Sequence, residues 1–94
     1  MALARVVTFD GVDAARMAEL KQTIEGGERP PDLPASEIVI LHDPDGQRSL
    51  TIVFFENEDD YRRGDATLSA MPESETPGSR TSVAKYEVAV RATA

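Results

Sequence analysis

The chain has 94 residues, which is the length of one small domain, so residues 1–94 are treated as a single domain. It carries 17 acidic and 10 basic residues, and its formal net charge of −7 disfavours binding to nucleic acid or anionic lipid, since both require clustered cations. There is no cysteine, which excludes disulfides, thiolate metal sites and a cysteine nucleophile.

The compartment is predicted from patterns that are missing. Residues 1–10 look like a strand and lack the basic and long apolar regions of a secretory signal. No apolar run approaches the roughly 18 residues that a bilayer-spanning helix needs. We therefore expect a cytoplasmic protein with no membrane partner.

The first third of the chain predicts a strand followed by a helix. Residues 3–9 are mostly apolar and rich in β-branched side chains, which favours a strand. Asp13 is suited to cap a helix, because its carboxylate can accept hydrogen bonds from first-turn amides. Apolar residues then recur at helical spacing until Gly26 and Gly27, which predict the end of the helix. Three prolines within residues 28–36 predict an extended connection.

The middle of the chain predicts a β-hairpin. Residues 37–43 and 48–56 favour strands two and three, and the sequence Pro-Asp-Gly between them is typical of a turn. Strand three is apolar on both faces, whereas a sheet covered by helices on one side only should alternate more cleanly. Its second apolar face therefore predicts a further cover, and a second copy of the same sheet is the simplest one. A homodimer also suits a short chain, which buries only roughly 60–65% of its unfolded surface.

The last third predicts a helix, a loop and a strand. Asn57 is expected to cap helix two, with Asp60 at the acidic position of a capping box. The pairs Glu58–Arg62 and Asp59–Arg63 have the spacing of helical ion pairs. Residues 72–80 are polar and predict a loop, and residues 82–91 predict strand four. In strand four, the face that carries Tyr86 is the more apolar one and is expected to lie against the core.

The resulting order is βαββαβ. Right-handed crossovers fold this order into an α+β, ferredoxin-like domain, with a four-stranded antiparallel sheet and two helices on one face. RNA-recognition domains share the order, but the positions where two rings should stack hold Leu50 and Ile52, and the charge has the wrong sign. We therefore expect no nucleic-acid partner.

Three side chains are weak candidates for a site. His42 is the one histidine of the chain, and histidine is the side-chain type best suited to act as a general base at neutral pH; alternatively it would be a solvated histidine beside the turn. Arg5 is a cation within an apolar strand and would hold an anionic substrate or oxyanion, or would solubilise an edge. Tyr86 would orient a ligand through its hydroxyl, or would be a core tyrosine. The turn at residues 43–46 is too short for a calcium loop, and no metal set is expected.

Three segments together carry a family resemblance: ALARVVTFDG (residues 2–11), VILHDPDGQRSLTIVFFENEDDYR (residues 39–62) and KYEVAV (residues 85–90). They resemble the antibiotic biosynthesis monooxygenase-like, dimeric α/β barrel superfamily. The resemblance implies a homodimer with a cavity between each sheet and its helices. It also implies a small apolar or aromatic ligand and, in some members, cofactor-independent oxygenase activity.

Two functions follow, and both stay open at this point. One is a cofactor-independent monooxygenase-like enzyme, and the other is a non-catalytic dimerisation or small-ligand-sensing module. The chain has no tryptophan, and its one asparagine is the predicted cap Asn57, so the Asn, Trp and His set of characterised members is incomplete. Neither function calls for a cofactor, and none is expected. A cavity lined by Arg5, His42 or Tyr86 would distinguish the two.

Overall fold

The computed structural model describes residues 2–27, 32–71 and 76–93. The elements are β1 (Leu3–Asp10), α1 (Ala14–Glu25), β2 (Glu37–Asp43), β3 (Arg48–Phe55), α2 (Glu58–Ser69) and β4 (Ser79–Glu87), which confirms the predicted order. The predicted connection at 28–36 and loop at 72–80 fall partly outside the described residues, at 28–31 and 72–75. No helix in the described ranges is long and apolar enough to cross a membrane.

All strand pairs are antiparallel, and the sheet order is β2-β3-β1-β4. The first and third strands are therefore central, and each helix connects a central strand to an edge strand. This is the ferredoxin-like α+β fold that the sequence predicts.

The bounds of β4 differ from the prediction of residues 82–91. The strand ends at Glu87 because that residue pairs with Leu3, where β1 begins, so no neighbouring strand continues beyond it. Val88 makes one last backbone hydrogen bond, from its N–H to the carbonyl of Ala2 at 3.0 Å. At the other end, the register shifts between Thr8 and Phe9, and pairing resumes through Arg80 and Ser79. The pairing partner sets the length of this strand, and the partner is distant in sequence.

Local chemistry fixes both helix starts as predicted. Asp13 accepts a hydrogen bond from the backbone N–H of Arg16 at 2.8 Å, and Asn57 accepts one from that of Asp60 at 2.8 Å. The predicted Glu58–Arg62 pair is present, at 3.7 Å.

The predicted pair between Asp59 and Arg63 is wrong. Arg63 instead bonds the side chain of Asp32, in the segment before β2. Asp59 lies 3.8 Å from Arg62, in a loose and exposed pair. A tertiary partner has therefore replaced the helical one.

The helices cover the side of the sheet on which Leu3, Arg5, Val7 and Phe9 are buried. One core cluster lies under α2 and consists of Leu3, Val53, Phe55 and Tyr61. A second lies under the start of α1 and consists of Val7, Phe9 and Val12, with Met17 against it. α1 itself has no fully buried residue, and its apolar side chains Met17, Leu20 and Ile24 are only partly buried.

The other side of the sheet, here called the open face, is also apolar. Directly opposed residues share a face, and the register places on this side Val6, Val39, Leu41, Leu50, Ile52, Phe54, Ala84 and Tyr86. Leu41 is 52% exposed and Tyr86 is 58% exposed. The prediction of a two-sided apolar β3 is therefore confirmed.

The expectation that Tyr86 faces the core is wrong. Its neighbour Lys85 pairs with Arg5 and so faces the helices, which turns Tyr86 to the open face. The Lys85 ammonium lies 4.9 Å from the ring centre of Tyr61 and donates a hydrogen bond to Glu58 at 2.6 Å. A charged residue can thus occupy the helix side because α2 supplies its partners.

The segment after β4 reaches one end of the open face. The Arg91 guanidinium lies 4.3 Å from the ring centre of Phe54 and 3.3 Å from a carboxylate oxygen of Glu37. Because Glu37 belongs to the opposite edge strand, the chain crosses the sheet here. Leu41 and Tyr86 stay uncovered by it.

Candidate functional site

A cavity of about 170 Å³ lies between the sheet and the two helices. Met17 packs against the core, but α1 has no fully buried residue, so a space remains between this helix and the sheet. Most of its lining is aliphatic: the sheet contributes Val7, Ile40 and Val53, and the helices contribute Leu20, Ile24 and Leu68. The arrangement suits an apolar molecule about the size of an aromatic ring.

Arg5 is the buried charge of this cavity, and its side chain is 4% exposed. Its Nε donates a hydrogen bond to Oδ1 of Asp65 at 2.8 Å, and its Nη2 donates one to Oγ of Ser69 at 3.3 Å. Within the described residues no acceptor is bonded to Nη1. Of the three candidates from the sequence, Arg5 is the one that the structure places in the cavity.

Arg80 also lines the cavity, and it comes from the start of β4. Its Nη2 donates a long hydrogen bond, 3.4 Å, to the carbonyl of Leu68. Arg5 bonds the next residue, Ser69, so both guanidinium groups reach the last turn of α2. Sequence reasoning missed Arg80 because it placed this residue in a loop.

Asp65 was missed as a site residue as well. Asp65 lies on the side of α2 that faces the sheet, where a carboxylate needs a cation from the facing strand to balance its charge. Arg5 is the cation buried in β1. The sequence signal for this ion pair was therefore a cation in an apolar strand together with a carboxylate in the apolar face of a helix. The pair also aligns α2 with the sheet.

His42 lies outside the cavity. Its Nε2 is 2.9 Å from the carbonyl oxygen of Val12, and because a carbonyl can only accept, this nitrogen carries the proton. The ring thereby ties β2 to the segment between β1 and α1. The structure gives His42 this structural contact, and its role as a general base stays a prediction.

Tyr86 is likewise outside the cavity, on the open face. The tyrosine on the helix side of the sheet is Tyr61, whose pKa is raised by burial and, to a lesser extent, by the carboxylate of Asp65. Its ring packs edge-on against Phe55, with centroids 5.5 Å apart. Tyr61 therefore serves the core as a neutral phenol.

Proton-transfer groups are missing from the described lining of the cavity. That lining contains no His, Asp, Glu, Tyr or Lys, and its polar members besides the two arginines are Thr23, Thr51 and Thr76. None of these side chains titrates near neutral pH. The cavity can bind and orient a molecule, but its described walls supply no general base.

Fold and cavity together define a small ferredoxin-like α+β domain with an internal apolar site. No family model matches this sequence, and no curated protein or solved structure matches it either. The cavity and the open face are thus the features from which a function can be argued.

Proposed function

We propose that this chain is a cytoplasmic, homodimeric α/β barrel protein, similar to the antibiotic biosynthesis monooxygenase-like superfamily, which binds a small apolar or aromatic molecule between its sheet and helices. The observation that carries the proposal is the aliphatic cavity of about 170 Å³. An engineered apolar cavity of about 150 Å³ in another protein stays dry and admits benzene. A molecule built on one aromatic ring is therefore the expected size of ligand.

Binding is better supported than catalysis. Arg5 alone of the three candidates lines the cavity, and an arginine holds or orients a ligand but does not exchange protons near neutral pH. The described lining offers no other group for that step. We therefore propose a binding or sensing role, and oxygenase activity stays a prediction from the resemblance.

The open face supports the homodimer. Leu41 and Tyr86 are each more than half exposed, and Ile52 lies between them in the middle of the sheet. Large contiguous apolar patches on a small domain mark sites of association. A second copy of the same face would bury these side chains through a two-fold contact, as is usual for homodimers.

The substitution Ile52→Lys is expected to convert the dimer to a monomer. An ammonium group at the centre of the open face would meet its own copy across the two-fold axis, in an apolar and desolvated contact. Native mass spectrometry of both proteins at 10 μM, about the range in which such dimers persist, measures the change. Ala66→Lys, on the exposed side of α2, adds the same charge as a control and should leave the dimer intact. A wild-type monomer at this concentration would contradict the dimer.

Small apolar probes are expected to stabilise the protein. A probe at ten times its Kd adds about 1.4 kcal/mol to the free energy of unfolding. For a domain of this size that corresponds to a rise in Tm of roughly 6–11 °C. Toluene, indole and benzamide are suitable probes, with Tm measured by calorimetry.

Thr51→Phe tests whether those probes occupy the cavity. Thr51 pairs with Val7 and Ile40 and lies at the centre of the cavity floor, so a phenyl ring there would fill the space. The variant should lose the Tm response to every probe, while Ala66→Phe, with the ring on the exposed side of α2, should keep it. An unchanged response in Thr51→Phe would move the binding site elsewhere and contradict the proposal.

A further inference from the structure

The charge inside the cavity is opposite to that of the chain as a whole. The formal net charge is −7, yet the charged side chains in the described lining are two arginines and no acid. Because this pocket is cationic and has a low dielectric constant, it attracts anions to one place on an otherwise acidic protein. The lining therefore distinguishes between ligands of equal size and different charge.

Arg5 presents an unsatisfied donor at this place. The residue is 3% exposed, and its Nε and Nη2 are bonded to Asp65 and Ser69. Within the described residues Nη1 has no acceptor, and because the atom is not fully enclosed it can donate a hydrogen bond to a molecule in the cavity. A carboxylate or similar oxyanion is the group that guanidinium geometry accepts best, often through two parallel hydrogen bonds.

Arg80 supplies a positive charge that no carboxylate of the described residues neutralises. Asp65 balances Arg5, whereas Arg80 forms no ion pair with a described residue and makes one long hydrogen bond, to the Leu68 carbonyl. Because the two guanidinium groups reach consecutive residues of α2, they flank the same end of the cavity. Among the described residues, one positive charge at that end has no carboxylate partner, and one negative charge on a ligand would match it.

From these observations we infer that the ligand is a small monocarboxylate, with its carboxylate between Arg5 and Arg80 and its apolar body against the aliphatic floor. This inference rests on the proposed function, because it names the ligand class for the same cavity. A dianion would exceed the available charge. A neutral molecule could accept a hydrogen bond from Nη1 of Arg5 but would leave the positive charge of Arg80 without a counter-charge.

Calorimetric titration with benzoate and benzamide tests the ligand class, since the two probes have nearly the same shape and differ in charge. Benzoate is expected to bind at least about tenfold more tightly than benzamide at 20 mM salt, and 500 mM salt should reduce this difference without abolishing it, because partly buried charges are screened less than exposed ones. Equal affinities would overturn the anionic class while leaving the apolar cavity and the proposed function in place. Failure of benzoate, benzamide and toluene alike would overturn both.

The variant Arg80→Gln tests whether the preference for benzoate over benzamide arises in the cavity. It should weaken benzoate at least about fivefold more than benzamide, because it removes a positive charge from an exposed residue of the lining without disturbing the core. Arg62→Gln, on the outer side of α2, makes the same change in net charge and should leave both affinities as they are. Equal losses in the two variants would mean that overall charge alone is responsible, which would overturn the assignment. Arg5→Lys, which keeps the charge but lacks Nη1, should also weaken benzoate.

Discussion

Replacing Gly64 with alanine is expected to destabilise the protein by about 1 kcal/mol, and by no more than about 2 kcal/mol, although alanine is the better helix former. A Cβ atom at Gly64 would lie 2.2 Å from Cε1 and 2.4 Å from Cζ of Phe55. Phe55 is 0% exposed and packs edge-on against Tyr61, so its ring has no room to retreat. Overpacking of this kind typically costs about 1–3 kcal/mol, and helix propensity returns about 1 kcal/mol. Urea unfolding measures the difference.

Two further variants separate the packing effect from helix propensity. Ala66→Gly lies two positions away on the exposed side of α2. It should lower the free energy of unfolding by about 1 kcal/mol through helix propensity alone. In a Phe55→Leu background the ring is gone, so Gly64→Ala should become neutral or stabilising. A Gly64→Ala protein that matched or exceeded the wild type would show that α2 can move away from Phe55.

The substitution Asp65→Ala is expected to lower the free energy of unfolding by about 2 kcal/mol. It leaves the Arg5 guanidinium, whose side chain is 4% exposed, with Ser69 as its remaining bonded partner. Breaking a fully buried ion pair costs about 3–5 kcal/mol, and the smaller value reflects the Asp65 side chain, which is 42% exposed. Chemical denaturation again provides the measurement.

An exposed pair serves as the matched control for Asp65. Asp59 lies 3.8 Å from Arg62 on the outer side of α2, and Asp59→Ala should change stability by less than about 0.5 kcal/mol. Combining Arg5→Met with Asp65→Ala should recover most of the loss, since no unpaired charge is then buried. If Asp65→Ala alone were as mild as the control, water would be compensating Arg5, and the cavity would be wetter than proposed.

Hairpin, caps and element order were predictable because they depend on residues close in sequence. The turn between β2 and β3 is stabilised by Asp43, which accepts hydrogen bonds from the Gly46 N–H at 3.1 Å and from Arg48 at 2.9 Å. The bond from Arg48 lowers the pKa of Asp43, and that from Gly46 lowers it further. Such contacts join residues that are close in sequence, so they can be predicted from the local sequence alone.

The cavity was predictable in kind but not in its residues. The family resemblance implied a cavity between the sheet and its helices. Which side chains line it depends on strand register, because a shift of one residue turns every side chain of a strand to the other face. Tyr86 and His42 were therefore placed by the tertiary pairing of β4 and β2, outside the cavity in both cases.

By itself, the sequence determined the ferredoxin-like order of elements, the starts of both helices, the hairpin and the two-sided apolar character of β3. These depend on capping, turn chemistry and hydrophobic period, which act over short distances. Only the tertiary structure decided the face of β4, the partner of Arg63, and the meeting of Arg5 with Asp65 and Arg80. Those outcomes depend on charges from distant segments, and a binary pattern of polar and apolar residues does not encode which of them will meet.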